Sequence, residues 1–186
     1  MSKVISFSRT YPSYHSRKKE PTYFVEKIWE GKDAVPSIFT DELPIESLNF
    51  IDHRHNDQTK YTTIRNGNKW KVGDFFSPRV WGDNINLKSG RKGAYHSKQI
   101  TFAPDTQIKK LWDFSIFQGN IFIKNNTGKQ KIITSIDLPD NEFFAEIAKN
   151  DGLSSTDMLD WFKYPHPFSG QIICWNEKID YDKYLK

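Results

Sequence analysis

Lys60-Tyr-Thr-Thr-Ile-Arg65, followed at once by Asn66-Gly-Asn-Lys-Trp70, is the stretch around which the rest of this chain is organised. Three consecutive β-branched residues in its middle favour an extended strand over a helix. The Asn-Gly-Asn sequence after it indicates a turn, because asparagine and glycine tolerate positive φ. The stretch also brings together an ammonium, a hydroxyl and a guanidinium, which can bind an anion or a polar base or activate a nucleophile.

The same stretch has a less specific interpretation as a solvated edge strand. A strand's period of two puts Lys60 on one face and both Thr63 and Arg65 on the other. Lys60 and Thr63 can therefore serve one site only if the segment bends between them. The residues alone leave both interpretations open.

Length and composition predict one domain spanning residues 1–186. Hydrophobic content is 37%, but aromatic residues make up 15% of the chain, so large rings can fill a small core. The net charge of +4 is compatible with a polyanionic partner. The single cysteine, Cys174, excludes an internal disulfide framework and is expected to be a core thiol. Without a membrane-length apolar run or a signal-peptide core, a soluble cytoplasmic protein is expected.

Short strands separated by turn signals dominate the predicted elements, a pattern typical of a barrel or sandwich. Strands are predicted at 4–8, 60–65, 70–72, 75–81, 97–103, 131–137 and 170–175, with a hairpin at 111–124. One helix is predicted at 23–30, capped by Thr22 and ended by Gly31. Another is predicted at 141–150, capped by Asp140, and a third follows a cap at Ser154 or Ser155.

Residues 33–59 are interpreted as an insertion or long loop. His53 and His55 near its end are two residues apart, and Asp57 could add an oxygen ligand, so a metal site is one hypothesis. Because a third ligand is missing, polar loop histidines are the preferred interpretation, and no metal is expected. The basic run at 13–20 is interpreted in the same way as a solvated loop, with a phosphate contact as the alternative.

A family resemblance appears in the motifs. Lys60-x-x-Thr-Ile-Arg65, followed by Trp70-Lys-x-Gly-Asp74, resembles the signature of ASCH domains, small relatives of the PUA RNA-binding fold. Val80-Trp81 and Tyr95-His-Ser-Lys-Gln-Ile100 are similar to a second barrel segment of a longer ASCH subgroup. The resemblance implies an α+β fold, in which about three helices flank a small mixed PUA-like β-barrel.

Two further segments extend this resemblance over most of the chain. The opening at 5–15 is similar to that of the longer subgroup. The segment at 147–162 resembles the family's turn between two helices, where an acidic residue precedes a glycine. In this chain the acidic residue is Asp151.

The resemblance implies action on RNA or on modified nucleosides. Some ASCH proteins are amidohydrolases that remove the acetyl group of N4-acetylcytidine with a lysine, a threonine and a glutamate, and others are reported as ribonucleases or are thought to bind RNA. By position, those three residues correspond to Lys60, Thr63 and Asp151. Asp151 is one methylene shorter than glutamate, and Asn66 stands where the small amidohydrolases carry an acid. These departures, and the longer chain, put the substrate in question.

An amidohydrolase of this kind needs no cofactor. The Thr63 hydroxyl would attack the acyl carbonyl, with Lys60 as the general base and Asp151 orienting one of them or carrying a proton. Arg65 or backbone N–H groups would stabilise the oxyanion. The predicted substrate-binding residues are Arg65, Trp70, Trp81, Tyr95, His96 and Lys98.

Two alternatives stay open. In a binding module without catalysis, Lys60 and Arg65 would hold phosphates of RNA or a nucleotide, together with Lys88, Arg91 and Lys92. In a ribonuclease, a histidine would serve as the base, first His96 and then His53 or His55. Catalysis by Lys60 requires a desolvated ammonium within reach of Thr63, whereas phosphate binding tolerates an exposed one. No feature of the sequence indicates an oligomeric state.

Overall fold

The computed structural model describes residues 2–32, 59–82, 88, 90, 96–163 and 167–186. The strands are β1 (Lys3–Ser6), β2 (Thr62–Asn66), β3 (Phe75–Trp81), β4 (Gln99–Thr101), β5 (Thr106–Gln107), β6 (Lys110–Phe117), β7 (Asn120–Lys124), β8 (Gln130–Ile133) and β9 (Phe168–Cys174). The α-helices are α1 (Phe24–Lys32), α2 (Glu142–Asn150) and α3 (Ser155–Trp161). The predicted insertion at 33–59 lies, apart from Thr59, outside these ranges.

The strands form two sheets. In the first sheet, β3 pairs in parallel with β1 and antiparallel with both β4 and β5. The second sheet is antiparallel, in the order β2-β9-β6-β7-β8. The predicted α+β class is confirmed. Within the described ranges, hydrogen bonding does not close the two sheets into one barrel.

Aromatic rings join the two sheets. Phe7, just after β1, makes edge contacts with Phe102 at 5.7 Å and with Trp175 at 6.4 Å between ring centroids. Phe76 of β3 lies 5.5 Å from Trp175. Trp175 directly follows β9, so these contacts connect the first sheet to the second. The high aromatic content predicted a core of this kind.

The predicted strand at Trp70–Val72 is wrong. Gln171 holds the backbone of Trp70 from both sides, accepting its N–H at 3.1 Å and donating to its carbonyl at 3.3 Å. The chain then turns, since the Asp74 N–H donates to the Lys71 carbonyl, and Val72 is 61% exposed. The strand pattern failed because Trp70 precedes this turn and Val72 lies within it.

Two helix boundaries also differ from prediction. Helix α1 continues through Gly31 to Lys32. A Cβ at Gly31 would lie 2.9 Å from the Tyr61 ring, so this glycine permits close packing and does not end the helix. Helix α2 is capped by Asn141, which accepts the Phe144 N–H, and not by Asp140. The predicted hairpin, the Ser154 cap and the strand at 170–175 are confirmed in outline.

The basic run at 13–20 is only partly a solvated loop. His15 is buried, accepting the Arg17 N–H on Nδ1 and contacting the Asp157 carbonyl through Nε2 at 3.0 Å. Arg17 forms an ion pair with Asp157 at 3.0 Å. These side chains attach the segment to α3, whereas Lys18 and Lys19 are exposed.

Cys174 is confirmed as a core residue, and burial raises the pKa of its thiol to about 11. A thiol with that pKa is a poor nucleophile at neutral pH. Among the described helices, none combines the length and apolarity needed to span a membrane.

Candidate functional site

The side chain of Lys60 is buried in an ion pair. Its backbone N–H donates to the Lys27 carbonyl at 3.0 Å, which fixes the chain just before β2. Its Nζ lies 2.9 Å from Asp151 Oδ1 and also donates to the Asp151 carbonyl. The ammonium stands 4.2 Å from the centroid of the Phe24 ring, and Lys60 is 1% exposed. The structure therefore brings together two of the three predicted catalytic residues.

The carboxylate of this pair belongs to the turn between α2 and α3. Asp151 ends α2, and Gly152 follows with a φ of 75°, a conformation that favours glycine. The Lys27 ammonium donates to the Gly152 carbonyl at 2.7 Å, and the Tyr61 N–H donates to the Asn150 carbonyl at 2.8 Å. We call Asn150–Gly152 the junction, since α1 and the chain entering β2 both attach to it.

Burial dominates the electrostatics of the pair. It lowers the pKa of Lys60 to about 8, against the opposing attraction of Asp151. It raises the pKa of Asp151, against the attraction of Lys60 and Arg65. The pKa of Lys27 is lowered for the same reason. Lys60 thus meets the requirement for a desolvated amine that can lose its proton near neutral pH.

Thr63 is buried on β2, opposite Ile173 of β9. By the alternation of the strand it shares a face with Arg65. Within the described part of the chain, no hydrogen bond joins Thr63 to Lys60 or to Asp151. Thr63, the third predicted catalytic residue, is therefore close to Lys60 in sequence but is not hydrogen-bonded to the Lys60–Asp151 pair.

A cleft of about 540 Å³ opens beside this pair. The described residues that line it are Val4, Ile5, Ser6, Phe7, Ser8, Arg65, Asn66, Lys69, Trp70 and Trp81. The Phe7 ring connects the cleft with the buried pair, because its centroid lies 5.0 Å from Arg65 Cζ and 5.9 Å from Lys60 Nζ. Lys60 and Asp151 are behind this wall and are not among the described lining residues.

The predicted substrate-binding residues fall into two groups. Arg65, Trp70 and Trp81 line the cleft. His96 and Lys98 are not among its described lining residues, although both lie in the described part of the chain, and Tyr95 lies outside it.

Two cations and several hydrogen-bond donors make up much of the polar part of the described wall of the cleft. Arg65 Nε and Trp70 Nε1 are buried and have no hydrogen-bond partner among the described residues. Burial lowers the pKa of Arg65 to about 10. Lys69 adds a second cation, and the described lining contains no acidic residue. This wall is suited to a ligand that accepts hydrogen bonds.

Sequence reasoning missed the contributions of β1 and α1. Phe7 was part of a predicted strand, but the alternation of that strand did not indicate that its ring lies next to Lys60 and Arg65. Lys27 was missed because a lysine in an amphipathic helix is expected to be solvated. Only the close approach of α1 to the junction buries it.

The buried pair predicts a pH dependence of stability. Because the folded-state pKa of Lys60, about 8, is below the ordinary 10.5, the unfolded chain binds this proton more strongly between those values. The contribution of Lys60 to the free energy of unfolding should therefore increase with pH, by roughly 1–2 kcal/mol from pH 8 to 9.5. Urea denaturation at both pH values would measure it, relative to a Lys60→Met/Asp151→Leu variant that lacks both groups. An equal change in the two proteins would contradict the lowered pKa.

Several predicted residues lie outside the described ranges, namely His53, His55, Asp57, Arg91 and Lys92. Inside those ranges, no group of three or more histidine, cysteine, aspartate or glutamate side chains is placed to hold a metal ion. Comparison of the chain with protein-family models, curated proteins and solved structures finds no match.

Proposed function

We propose that this chain is an ASCH-like, PUA-related module that binds RNA or a nucleotide in the cleft between β1 and the end of β2. The observation that carries the proposal is the cleft itself, with its donor-rich, basic wall. Its volume of about 540 Å³ is in the range of pockets for small ligands. A nucleobase presents several acceptors in one plane, and a nucleic-acid backbone adds negative charge.

Trp81 is the proposed stacking surface. It lines the cleft and is only partly buried, so an indole face can contact a base. Trp70 is a poorer candidate, since it is buried and the ammonium groups of Lys3 and Lys69 lie 5.1 and 5.9 Å from its ring. Trp70 would instead contribute its indole N–H.

The ASCH-like assignment is supported by where the motif residues lie. Thr63 and Arg65 are on one face of β2, and Lys60 reaches the acidic residue of the turn between two helices. The two aromatic-joined sheets are the proposed equivalent of the PUA-like barrel. The resemblance predicted that Lys60 and Asp151 belong to one site, although they lie in separate segments of the chain.

Acyl hydrolysis is a second candidate, favoured by the buried Lys60–Asp151 pair beside the cleft. A neutral Lys60 would take the proton of the Thr63 hydroxyl as that oxygen attacks an acyl carbon, and Asp151 would orient the amine. The proton would then pass to the departing amine, and a water molecule would cleave the resulting acyl-Thr63 ester, releasing the acid and restoring the hydroxyl. Ribonuclease action has less support, because His96, its first candidate base, is not among the described lining residues of the cleft.

Binding and turnover can be measured together on single-stranded RNA and on nucleosides including N4-acetylcytidine. Trp81→Ala should weaken RNA binding about 10-fold, the loss expected for one stacked base. Phe117→Ala is the matched control, since that ring is exposed and outside the described lining. Affinity would be measured by calorimetry and products by mass spectrometry.

The outcomes separate the two candidates. Thr63→Val keeps the side-chain shape but lacks the hydroxyl, so it should stop deacetylation without weakening binding. Wild-type protein that binds but never converts N4-acetylcytidine would exclude the hydrolase candidate for that substrate. Failure to bind RNA, nucleotides and nucleosides alike would exclude the proposed function.

A further inference from the structure

The three cations near the cleft, Lys27, Lys60 and Arg65, differ in how they are paired. Burial lowers the pKa of all three, and each is attracted to Asp151, whereas Lys27 is also attracted to Asp157 and Glu26. Asp151 lies 2.9 Å from Lys60, and Lys27 donates to the Gly152 carbonyl. Arg65 therefore stands without an ion pair among the described residues.

Arg65 is half-buried, and a guanidinium that has lost part of its water is stabilised by an anion that takes the place of that water. The Arg65 Nε–H is buried without an acceptor among the described residues. Phe7 packs at 5.0 Å from Cζ, a contact that offers the guanidinium no hydrogen-bond acceptor. A partner suited to Arg65 would therefore supply acceptor atoms and negative charge.

The position of Arg65 indicates where such a partner would be. Arg65 lines the cleft, as does Trp70, whose indole N–H is also buried without an acceptor among the described residues. Lys69 lies on the same wall. A guanidinium suits a tetrahedral oxyanion, because its fork of N–H groups can donate to two oxygens at once.

We infer that Arg65 holds a phosphate oxyanion of the ligand, so that the cleft takes a nucleotide or the phosphodiester of an RNA strand in preference to an uncharged nucleoside. This inference rests on the proposed function and narrows its ligand class. Both sources present the same chemistry, an anionic phosphate attached to a nucleoside. Lys60, by contrast, is removed from the phosphate contacts, because its ammonium is already paired and buried.

Calorimetric titration distinguishes the two phosphate sources. The probes are cytidine, cytidine 5′-monophosphate, cytidylyl-cytidine and inorganic phosphate, each at two salt concentrations. Wild-type protein should bind at least one phosphate-containing cytidine compound 10-fold or more tightly than cytidine. This difference in affinity should decrease at higher salt, as expected for a contact between charges. Tighter binding of cytidine 5′-monophosphate would identify a terminal phosphate as the source, and tighter binding of cytidylyl-cytidine would identify a diester.

Substitutions test whether Arg65 is responsible. Arg65→Gln should abolish the preference for the phosphate-containing compounds over cytidine. Arg65→Lys, which keeps the charge but not the fork, should retain part of it. Lys178→Gln removes an exposed cation outside the described cleft lining and should change nothing. Urea denaturation of each variant checks folding. Arg65→Gln should remain folded, since the side chain is only half-buried and forms no ion pair among the described residues.

Two results would overturn the inference. One is equal binding of cytidine and both phosphate-containing compounds by the wild type, a comparison that requires no variant. The other is a phosphate preference that survives in folded Arg65→Gln. Either would leave the proposed function standing, whereas the absence of binding to every probe and to RNA would remove that function itself.

Discussion

Asp151→Leu is expected to lower the free energy of unfolding by about 3–5 kcal/mol, the cost of leaving one member of a buried ion pair without its partner. Leucine has the same branched shape as aspartate, so packing changes little. The Lys60 ammonium would be 1% exposed with no carboxylate at 2.9 Å. Neutralising that ammonium is the alternative open to the protein, and it also costs free energy at pH 7.

The double variant Lys60→Met/Asp151→Leu separates charge from shape. With both charges replaced by apolar groups of similar size, the unfolding free energy should return to within about 1 kcal/mol of the wild type. Urea denaturation of the wild type, Lys60→Met, Asp151→Leu and the double variant at pH 7, followed by circular dichroism, gives all four values of the double-mutant cycle. If Asp151→Leu alone cost less than about 1 kcal/mol, the pair would not be desolvated as the structure indicates.

Gly170→Ala should lower the free energy of unfolding by about 3 kcal/mol, at the upper end of overpacking in a core. A Cβ at this position would lie 2.1 Å from the Arg65 carbonyl oxygen and 2.8 Å from the Arg65 carbonyl carbon. Because both atoms belong to the backbone, no side-chain rotation relieves the contact. The end of β2 would have to separate from β9, where Asn66 is paired with Gly170.

Ser169→Ala is the matched control for this substitution. Ser169 is adjacent on the same strand and exposed, so the change should fall within about 0.5 kcal/mol of the wild type. Both variants can be compared by urea denaturation. A Gly170→Ala protein with wild-type stability would mean that β2 and β9 are farther apart at this point than the structure shows.

Local signals predicted most of the elements, because turns and caps depend on a few neighbouring residues. The hairpin after Phe117 and the strand at Phe75–Trp81 are examples. The same signals failed at Gly31 and at Trp70. Gly31 looked like a helix end, but its role is set by the Tyr61 ring, which is far along the chain. Trp70 looked like a strand residue, but contacts with Gln171 decide its conformation.

The candidate site was predictable only where family resemblance supplied long-range information. Strand alternation puts Lys60 and Thr63 on opposite faces, and no spacing rule connects either of them to Asp151. The resemblance brought these residues together, and the structure places Lys60 against Asp151 but does not join Thr63 to the pair by a hydrogen bond. The burial of Lys27 and the position of Phe7 depend on tertiary packing, which no local pattern encodes.

The junction has a consequence for the kinetics of folding. It joins Lys27 and Lys60 to residues about 90 to 125 positions further along the chain. Burying either ammonium is favourable only after the carbonyls of Asp151 and Gly152 and the Asp151 carboxylate are in position. We therefore expect these contacts to form late in folding. Substitutions at the junction should therefore mainly increase the unfolding rate and have little effect on the folding rate.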